Sequence, residues 1–393
     1  MEASTHQNPE NPRNVYHIGG IPVEFPYKPY GSQLAFMGRV ISTLDRAQKE
    51  GHCHALLESP TETSTPETAP PATNTMSQSK KSVPTIYYAS RTHSQITQVI
   101  REYRKTTYRA PMAVLASRKH YCTNEKIRNG DNLDEECKLL LENKEAGCPQ
   151  FKNAHRVKSH PSLQKGGCHE AHDIEDLVKI GKTVKGCSYF AARSLAGDAH
   201  IVFCPYSYIT NPIIRRAMEI DIKGAILVLD EAHNIEDISR EAGSVDVDED
   251  ALHKLQMELG QLCGGDALTY QPLYEMVQDV LSWMERRKGA LEKRDFQRYV
   301  SCWTGDKALK ELQEASISQQ CFPILQECAA KAIKAASDTE SGLAHLSGMS
   351  AVALEGLFCS LNYFFQKNGL HINDFQLAVQ CIFKKDTGEI SRC

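Results

Sequence analysis

Apolar positions along this chain follow two rhythms. Leu34, Met37, Ile41 and Leu44 recur at the three- and four-residue spacing of one helix face, with Phe36 and Val40 beside them, which predicts a helix over residues 30–50 ended by Gly51. Residues 55–57 read as a short buried strand. Residues 85–88 form a β-rich run, followed by a helix over about 92–105 with Ile96, Val99, Ile100 and Tyr103 on one side. Further strands are expected at 113–116, 200–204 and 225–229, and helices at 188–195 and 212–220. Continuous apolar runs separated by helices predict a parallel sheet covered on both faces. From Ile235 onward the spacing is helical nearly throughout, notably over 252–262, 273–287 and 352–365, with no sheet-building run. A separate, mainly helical domain is expected there.

Two stretches break the pattern. Between Ser59 and Pro84, 16 of 26 residues are Ser, Thr or Pro, which supports neither helix nor strand and reads as a flexible linker. Residues 117–187 are rich in Cys, His, Lys and Gly with little periodicity, as expected of an insertion held by something other than an apolar core. The 393 residues suffice for two or three domains, and 41% apolar with 24% charged residues is the composition of a globular protein. The longest clean apolar run, residues 224–229, falls far short of the roughly 20 needed to span a bilayer, so no membrane crossing is expected. Met1 to Asn14 are polar, without the pattern of a secretory signal, which points to the cytosol or nucleus. In that reducing setting, clustered thiols among the 14 cysteines read as metal ligands sooner than as disulfides. The net charge of −4 hides an asymmetry: residues 85–228 hold 22 Lys and Arg against 15 Asp and Glu. A basic middle suits a polyanionic partner, and equally a solvated surface.

The sharpest chemical signal is Asp230-Glu231-Ala232-His233, placed directly after the apolar run that ends at Leu229. Phosphoryl transfer needs one carboxylate to hold magnesium and another to orient the attacking water, both fixed at the end of a rigid strand. Acids are also favoured at a plain strand end by the dipole of the following helix.

These residues resemble the iron-sulfur DNA helicases of superfamily 2, of the XPD and Fanconi anaemia group J type. Phe25-Pro26-Tyr27-Lys28-Pro29-Tyr30 with Gln33 is similar to that family's adenine-contacting motif, and Ser90-Arg91-Thr92-His93-Ser94-Gln95 to the motif that grips single-stranded DNA. Phe203-Cys204-Pro205-Tyr206-Ser207-Tyr208 and the run from Leu229 to Glu236 continue the likeness, which extends from about Tyr16 onward. It implies a RecA-like P-loop-type α/β motor domain over 16–117 and 188–240, an iron-sulfur insertion at 118–187 and a helical Arch-like domain at 241–393, after a disordered segment 1–15. It further implies ATP with magnesium as cofactor, DNA as partner, repair in the nucleus and 5′-to-3′ unwinding. Asp230, Glu231 and His233 would be catalytic, Tyr30, Gln33, Pro60 and Thr61 nucleotide-binding, and Arg91, Thr92, His93 and Gln95 DNA-binding. Cys122, Cys137, Cys148 and Cys168 would hold a 4Fe–4S cluster, with Cys187 a structural thiol beyond it. Without the resemblance, the four irregularly spaced cysteines read sooner as a zinc site or unrelated thiols. His155, His160, His169 and His172 suit zinc, but a DNA-facing surface with Arg118, Lys119, Lys152, Arg156 and Lys158 accounts for them more simply.

The sequence departs from that family at one decisive place. A phosphate loop needs Gly-x-x-x-x-Gly-Lys-Ser/Thr, whose backbone amides cradle phosphates and whose lysine neutralises them. Here Glu58-Ser59-Pro60-Thr61 runs into Glu62-Thr63-Ser64-Thr65-Pro66, so a carboxylate stands for a glycine, a threonine for the lysine and a proline for the magnesium-binding hydroxyl. Gly181-Lys182-Thr183 has the right letters within a predicted helix, which is the wrong setting. The family's second motor domain has no counterpart in these residues. Beside the working helicase stand two alternatives: a DNA-binding fragment without catalysis, and a truncated product that folds poorly.

Overall fold

The computed structural model describes residues 15–58, 83–130, 133–142, 147–295, 298–337, 344–383 and 390–392. Two compact units divide the chain: Met1–Ile209 with Met218–Ile235, and Thr210–Ala217 with Glu236–Cys393.

The first unit opens with a hairpin of β1 (Val15–Ile18) and β2 (Ile21–Glu24). Its two-residue turn is Gly19-Gly20, both at positive φ, as the tight turn joining twisted strands demands. The hairpin packs on α1 (Gly31–Glu50), burying Met37 and Ile41 against Ile18, Val23 and Phe25. Gly51 ends α1 in the left-handed conformation at φ 87°, as its sequence position predicts. Glu24 ties the hairpin to the rest of the unit, its N–H donating to Tyr108 Oη at 2.9 Å and its carboxylate accepting from Thr107 Oγ1 at 2.8 Å.

The strand expected at residues 55–57 does not form. Leu56 is 96% exposed, because three apolar residues between His54 and Glu58 find no strand to pair with among the described residues. Pro60, Thr61 and the altered phosphate loop lie outside the described residues, as do residues 1–14.

The sheet runs β4-β5-β3-β6 and is parallel throughout, with β3 (Ile86–Ser90), β4 (Met112–Val114), β5 (Ile201–Pro205) and β6 (Ile226–Leu229). On β5, Ile201, Val202 and Phe203 are buried, each contributing about 1.5–3 kcal/mol. α2 (His93–Lys105) lays Ile96, Ile100 and Tyr103 on this sheet. β6 departs from the doubly covered strand expected of it: it pairs only with β3 among the described residues, and Leu227 is 40% exposed.

The insertion is more ordered than its composition predicts. It comprises α3 (Arg118–Tyr121), α4 (Leu133–Glu142), α5 (Pro149–Lys152), α6 (Ala154–Lys158) and α7 (Ile174–Thr183). Tyr121, Val157, Leu177 and Ile180 share an apolar core with α8 (Ser188–Asp198), so the segment does own a hydrophobic centre. Gly181-Lys182-Thr183 lies inside α7 and is no phosphate loop; a Cβ at Gly181 would strike Ser188 Oγ.

α9 (Ser207–Thr210) and α10 (Pro212–Ala217) follow β5. The second unit is completed by α11 (Ile235–Ala242), α12 (Glu249–Leu262), α13 (Ala267–Lys288), α14 (Gly305–Glu314), α15 (Phe322–Ser337) and α16 (Gly348–Phe365). Contrary to expectation it also holds an antiparallel sheet, β10-β9-β8-β7, from β7 (Glu292–Asp295), β8 (Arg298–Thr304), β9 (Gln376–Phe383) and β10 (Ile390–Arg392). Along β9, Val379 and Cys381 are buried and Gln380 and Ile382 less so, the period-two alternation of a half-covered strand. Glu311 is the polar anchor of this unit, accepting from Trp283 Nε1 at 2.8 Å and from Arg287 Nε and Nη2 at 2.7 and 2.9 Å. No helix among the described residues is long and apolar enough to cross a membrane.

Candidate nucleotide and nucleic-acid site

Parallel pairing brings Ala89 of β3 opposite Leu229 of β6, so Ser90 and Asp230 emerge side by side at the C-terminal ends of the strands. That edge is where open α/β sheets place ligands. Ser90 Oγ stands 3.2 Å from Asp230 Oδ2 and 3.1 Å from Gln95 Oε1, and the Asp230 N–H donates to Ala89 O at 2.9 Å. The Tyr206 N–H donates to Ser90 O at 3.0 Å, tying the end of β5 to the same point. Burial pushes the Tyr206 hydroxyl up to about 12, and the Asp230 and Glu231 carboxylates add to the shift.

Glu231 turns the chain through the left-handed region at φ 54°, unusual for a residue with a side chain. His233 Nδ1 lies 3.3 Å from Glu231 Oε2, and Asn234 Nδ2 donates to Glu231 O at 3.2 Å. Asp230 and Glu231 thus form the turn that ends β6, and His233 follows in a single 3-10 turn, Ala232–Asn234.

The expected DNA-contacting residues divide. Thr92 is the N-cap of α2 and Gln95 its reciprocal partner, with Thr92 Oγ1 accepting from the Gln95 N–H at 3.3 Å and Gln95 Oε1 accepting from the Thr92 N–H at 3.0 Å. The His93 ring meets His120 edge-on at 4.4 Å between centroids, and burial followed by that neighbour pulls it down to about 4, leaving it neutral at pH 7. Arg91 alone offers a positive charge at the surface, and its Nη1 donates to Asn234 Oδ1 at 2.8 Å.

Of the expected nucleotide ligands, Gln33 is buried and its Oε1 accepts from the Tyr30 N–H at 2.9 Å, capping α1, while the Tyr30 side chain is 67% exposed.

The cysteines regroup. Cys122 and Cys137 share one apolar cluster with Ile127 and Leu133, and Cys148 is buried, its Sγ accepting from Asn124 Nδ2 at 3.5 Å. Burial raises the Cys122 and Cys137 thiols, and each of the two senses Cys148. The thiol that senses both Cys137 and Cys148 is Cys187, pushed up to about 11 mainly by burial. Its N–H donates to Gln150 O at 2.8 Å, beside Cys148. Cys168, expected as the fourth ligand, is exposed in a turn and joins none of these. Cys122, Cys137, Cys148 and Cys187 are therefore the buried thiols of this region, and four thiolates are the donor set that an iron-sulfur cluster takes. Among the described residues no three His, Cys, Asp or Glu side chains already stand in metal-holding geometry. Of the histidines weighed for zinc, His155 Nδ1 faces Lys152 O, His160 Nδ1 faces Ser162 Oγ and His169 Nδ1 faces Asp176, while His172 is buried with neither ring nitrogen hydrogen-bonded among the described residues.

Ser90, Tyr206 and Asn234 are the site residues that sequence reasoning passed over, although each adjoins or lies within a motif it had marked.

A parallel sheet with paired carboxylates at its strand ends defines the class, a RecA-like α/β domain. The DEAD_2 family profile matches residues 88–252. The chain is similar to the Fanconi anemia group J protein homolog of Gallus gallus, 34% identical over 315 residues that cover 76% of this chain and 25% of that protein. It is likewise similar to the Regulator of telomere elongation helicase 1 homolog of Arabidopsis thaliana, 36% identical over 280 residues that cover 62% of this chain and 26% of that one. Among solved structures it resembles an XPD helicase at a TM-score of 0.35 and 15% identity, covering 76% of this chain and 46% of that chain, an overlap too loose to bear on the fold. Residues 88–252 thus carry a DEAD_2 match, and the chain is similar to helicase homologs that share it. It spans about a quarter of the length of these curated relatives.

Proposed function

We propose that this chain supplies the first motor domain, iron-sulfur insertion and Arch-like domain of an ATP-dependent DNA helicase acting in DNA repair in the nucleus. The observation that carries this reading is the meeting of Ser90 and Asp230 at the end of the parallel sheet, which joins the DNA-contacting loop to the carboxylates within one hydrogen bond. Asp230 holds the magnesium of bound ATP and Glu231 orients the attacking water. Arg91 takes a backbone phosphate of single-stranded DNA, an electrostatic contact without sequence preference. Cys122, Cys137, Cys148 and Cys187 hold a 4Fe–4S cluster, which staples the short helices of the insertion into one body.

Replacement of the phosphate loop by Glu62-Thr63-Ser64-Thr65-Pro66 favours a second reading, DNA binding without turnover. Binding of a fluorescent ATP analogue with magnesium separates the two. The helicase reading expects saturable binding that weakens about tenfold in Asp230→Asn, the scale of one lost charge-assisted contact; absence of magnesium-dependent binding overturns it in favour of the second.

A further inference from the structure

The proposed site contains a hydrogen-bond chain whose polarity is set by an arginine on one side of an amide and a main-chain carbonyl on the other. An arginine guanidinium only donates, so the Asn234 atom 2.8 Å from Arg91 Nη1 is the amide oxygen, and the Asn234 amide is thereby fixed in one orientation. Its nitrogen then faces His233 Nε2 at 2.9 Å and Glu231 O at 3.2 Å. An amide nitrogen also only donates, so His233 Nε2 accepts and the neutral ring keeps its proton on Nδ1. Nδ1 stands 3.3 Å from Glu231 Oε2. Arg91 and the Glu231 carbonyl together hold the amide so that, through His233, a proton is offered to the carboxylate proposed to orient water.

We propose that Asn234 is a positioning residue in a DNA-operated latch: with Arg91 on Asn234, His233 occupies the Glu231 carboxylate, and when a DNA phosphate takes Arg91 the carboxylate is released. This rests on the reading of the Ser90–Gln95 segment as a DNA contact and of Glu231 as the water-orienting base. Three features favour an exchange. Arg91 is exposed, within reach of a phosphate. A phosphate offers the guanidinium a bidentate, charge-assisted partner, stronger than one neutral amide oxygen. The chain beyond Arg91 is held lightly, since the His233 and Glu231 side chains are 71% and 46% exposed and the Glu231 backbone is in the left-handed region, which a small change can relax.

The test is the tautomer of His233, read from ring-nitrogen chemical shifts of the full chain labelled with 15N-histidine at pH 7.5 and titrated with oligo-dT. The free protein is expected to show the Nδ1–H form, and saturation with oligo-dT to convert it to the Nε2–H-dominated mixture of an unconstrained imidazole. Arg91→Gln and Asn234→Leu are each expected to show that mixture before DNA is added, and a purely structural role for either residue would leave the tautomer unmoved. A wild-type His233 that keeps its Nδ1–H form while oligo-dT binds overturns the latch alone. No oligo-dT binding, seen as unchanged fluorescence anisotropy of a labelled oligo-dT titrated with the same protein, overturns the latch together with the DNA-contact reading. Variants that retain the Nδ1–H form also overturn it.

Discussion

Ser90 Oγ stands 3.2 Å from Asp230 Oδ2, although 140 residues separate them. Only the parallel register of β3 and β6 makes this meeting possible, and it sets the first expectation. Ser90 is fully buried, so Ser90→Ala removes a buried hydroxyl from both Asp230 and Gln95. Urea unfolding is expected to show a loss of about 1 kcal/mol, the usual net worth of such a hydrogen bond. Unchanged or increased stability would show that the contact does not hold the strand ends together.

Arg91 is the sole exposed cation of its loop, and its effect on DNA should be that of one phosphate contact. Arg91→Gln is expected to weaken oligo-dT binding at every sequence tested and to reduce the slope of log affinity against log salt by about 1. An unchanged slope would place the phosphate contact on another residue.

The regrouped cysteines make a prediction that sets two residues apart. After reconstitution with iron and sulfide, Cys187→Ser is expected to lose bound iron and visible absorbance, whereas Cys168→Ser keeps both. The reverse outcome would restore Cys168 as the fourth ligand.

Two histidines tie stability to pH. Burial, followed by the neighbouring His120, pulls His93 down to about 4. Burial also lowers His172, outweighing the backbone groups of Glu170 and His169 and the Asp176 carboxylate, which favour the charged ring. His172 sits beside Arg104, which donates to Ala171 O at 2.9 Å and pairs with Asp173 and Asp176. Because both folded values lie below the unfolded value of about 6.5, the unfolded chain binds more protons as pH falls. Their contribution is therefore complete above pH 6.5 and is lost as pH drops, for His93 down to about 4. Discounted for partial exposure, His93 alone should account for about 1–2 kcal/mol. Denaturant titrations at pH 7.5 and 5 should show that loss in the wild type and a smaller one in His93→Gln; equal losses would contradict it.

Much of this architecture was legible where local chemistry marks the ends of elements. Gly51 stops α1, and the Thr92–Gln95 capping box starts α2. The sheet of the second unit escaped because its partners lie far apart, Arg298 opposite Ile382, and the period-two alternation of β9 is embedded among helices. In the insertion, helices of four or five residues are too short to display a helical period. Cysteine spacing cannot say where the chain returns, so it does not reveal that Cys168 is exposed and Cys187 buried. The role of Asn234 depends on Arg91 arriving from the adjacent strand, a relationship no window of sequence around either residue contains.

The most direct test of the proposed motor site is steady-state ATP hydrolysis by the purified chain with and without oligo-dT, using Glu231→Gln as control. The helicase reading predicts turnover stimulated by DNA and abolished by the substitution. Turnover no greater than that of Glu231→Gln, with or without DNA, would contradict it and leave the two alternatives, a DNA-binding fragment without catalysis or a truncated product that folds poorly.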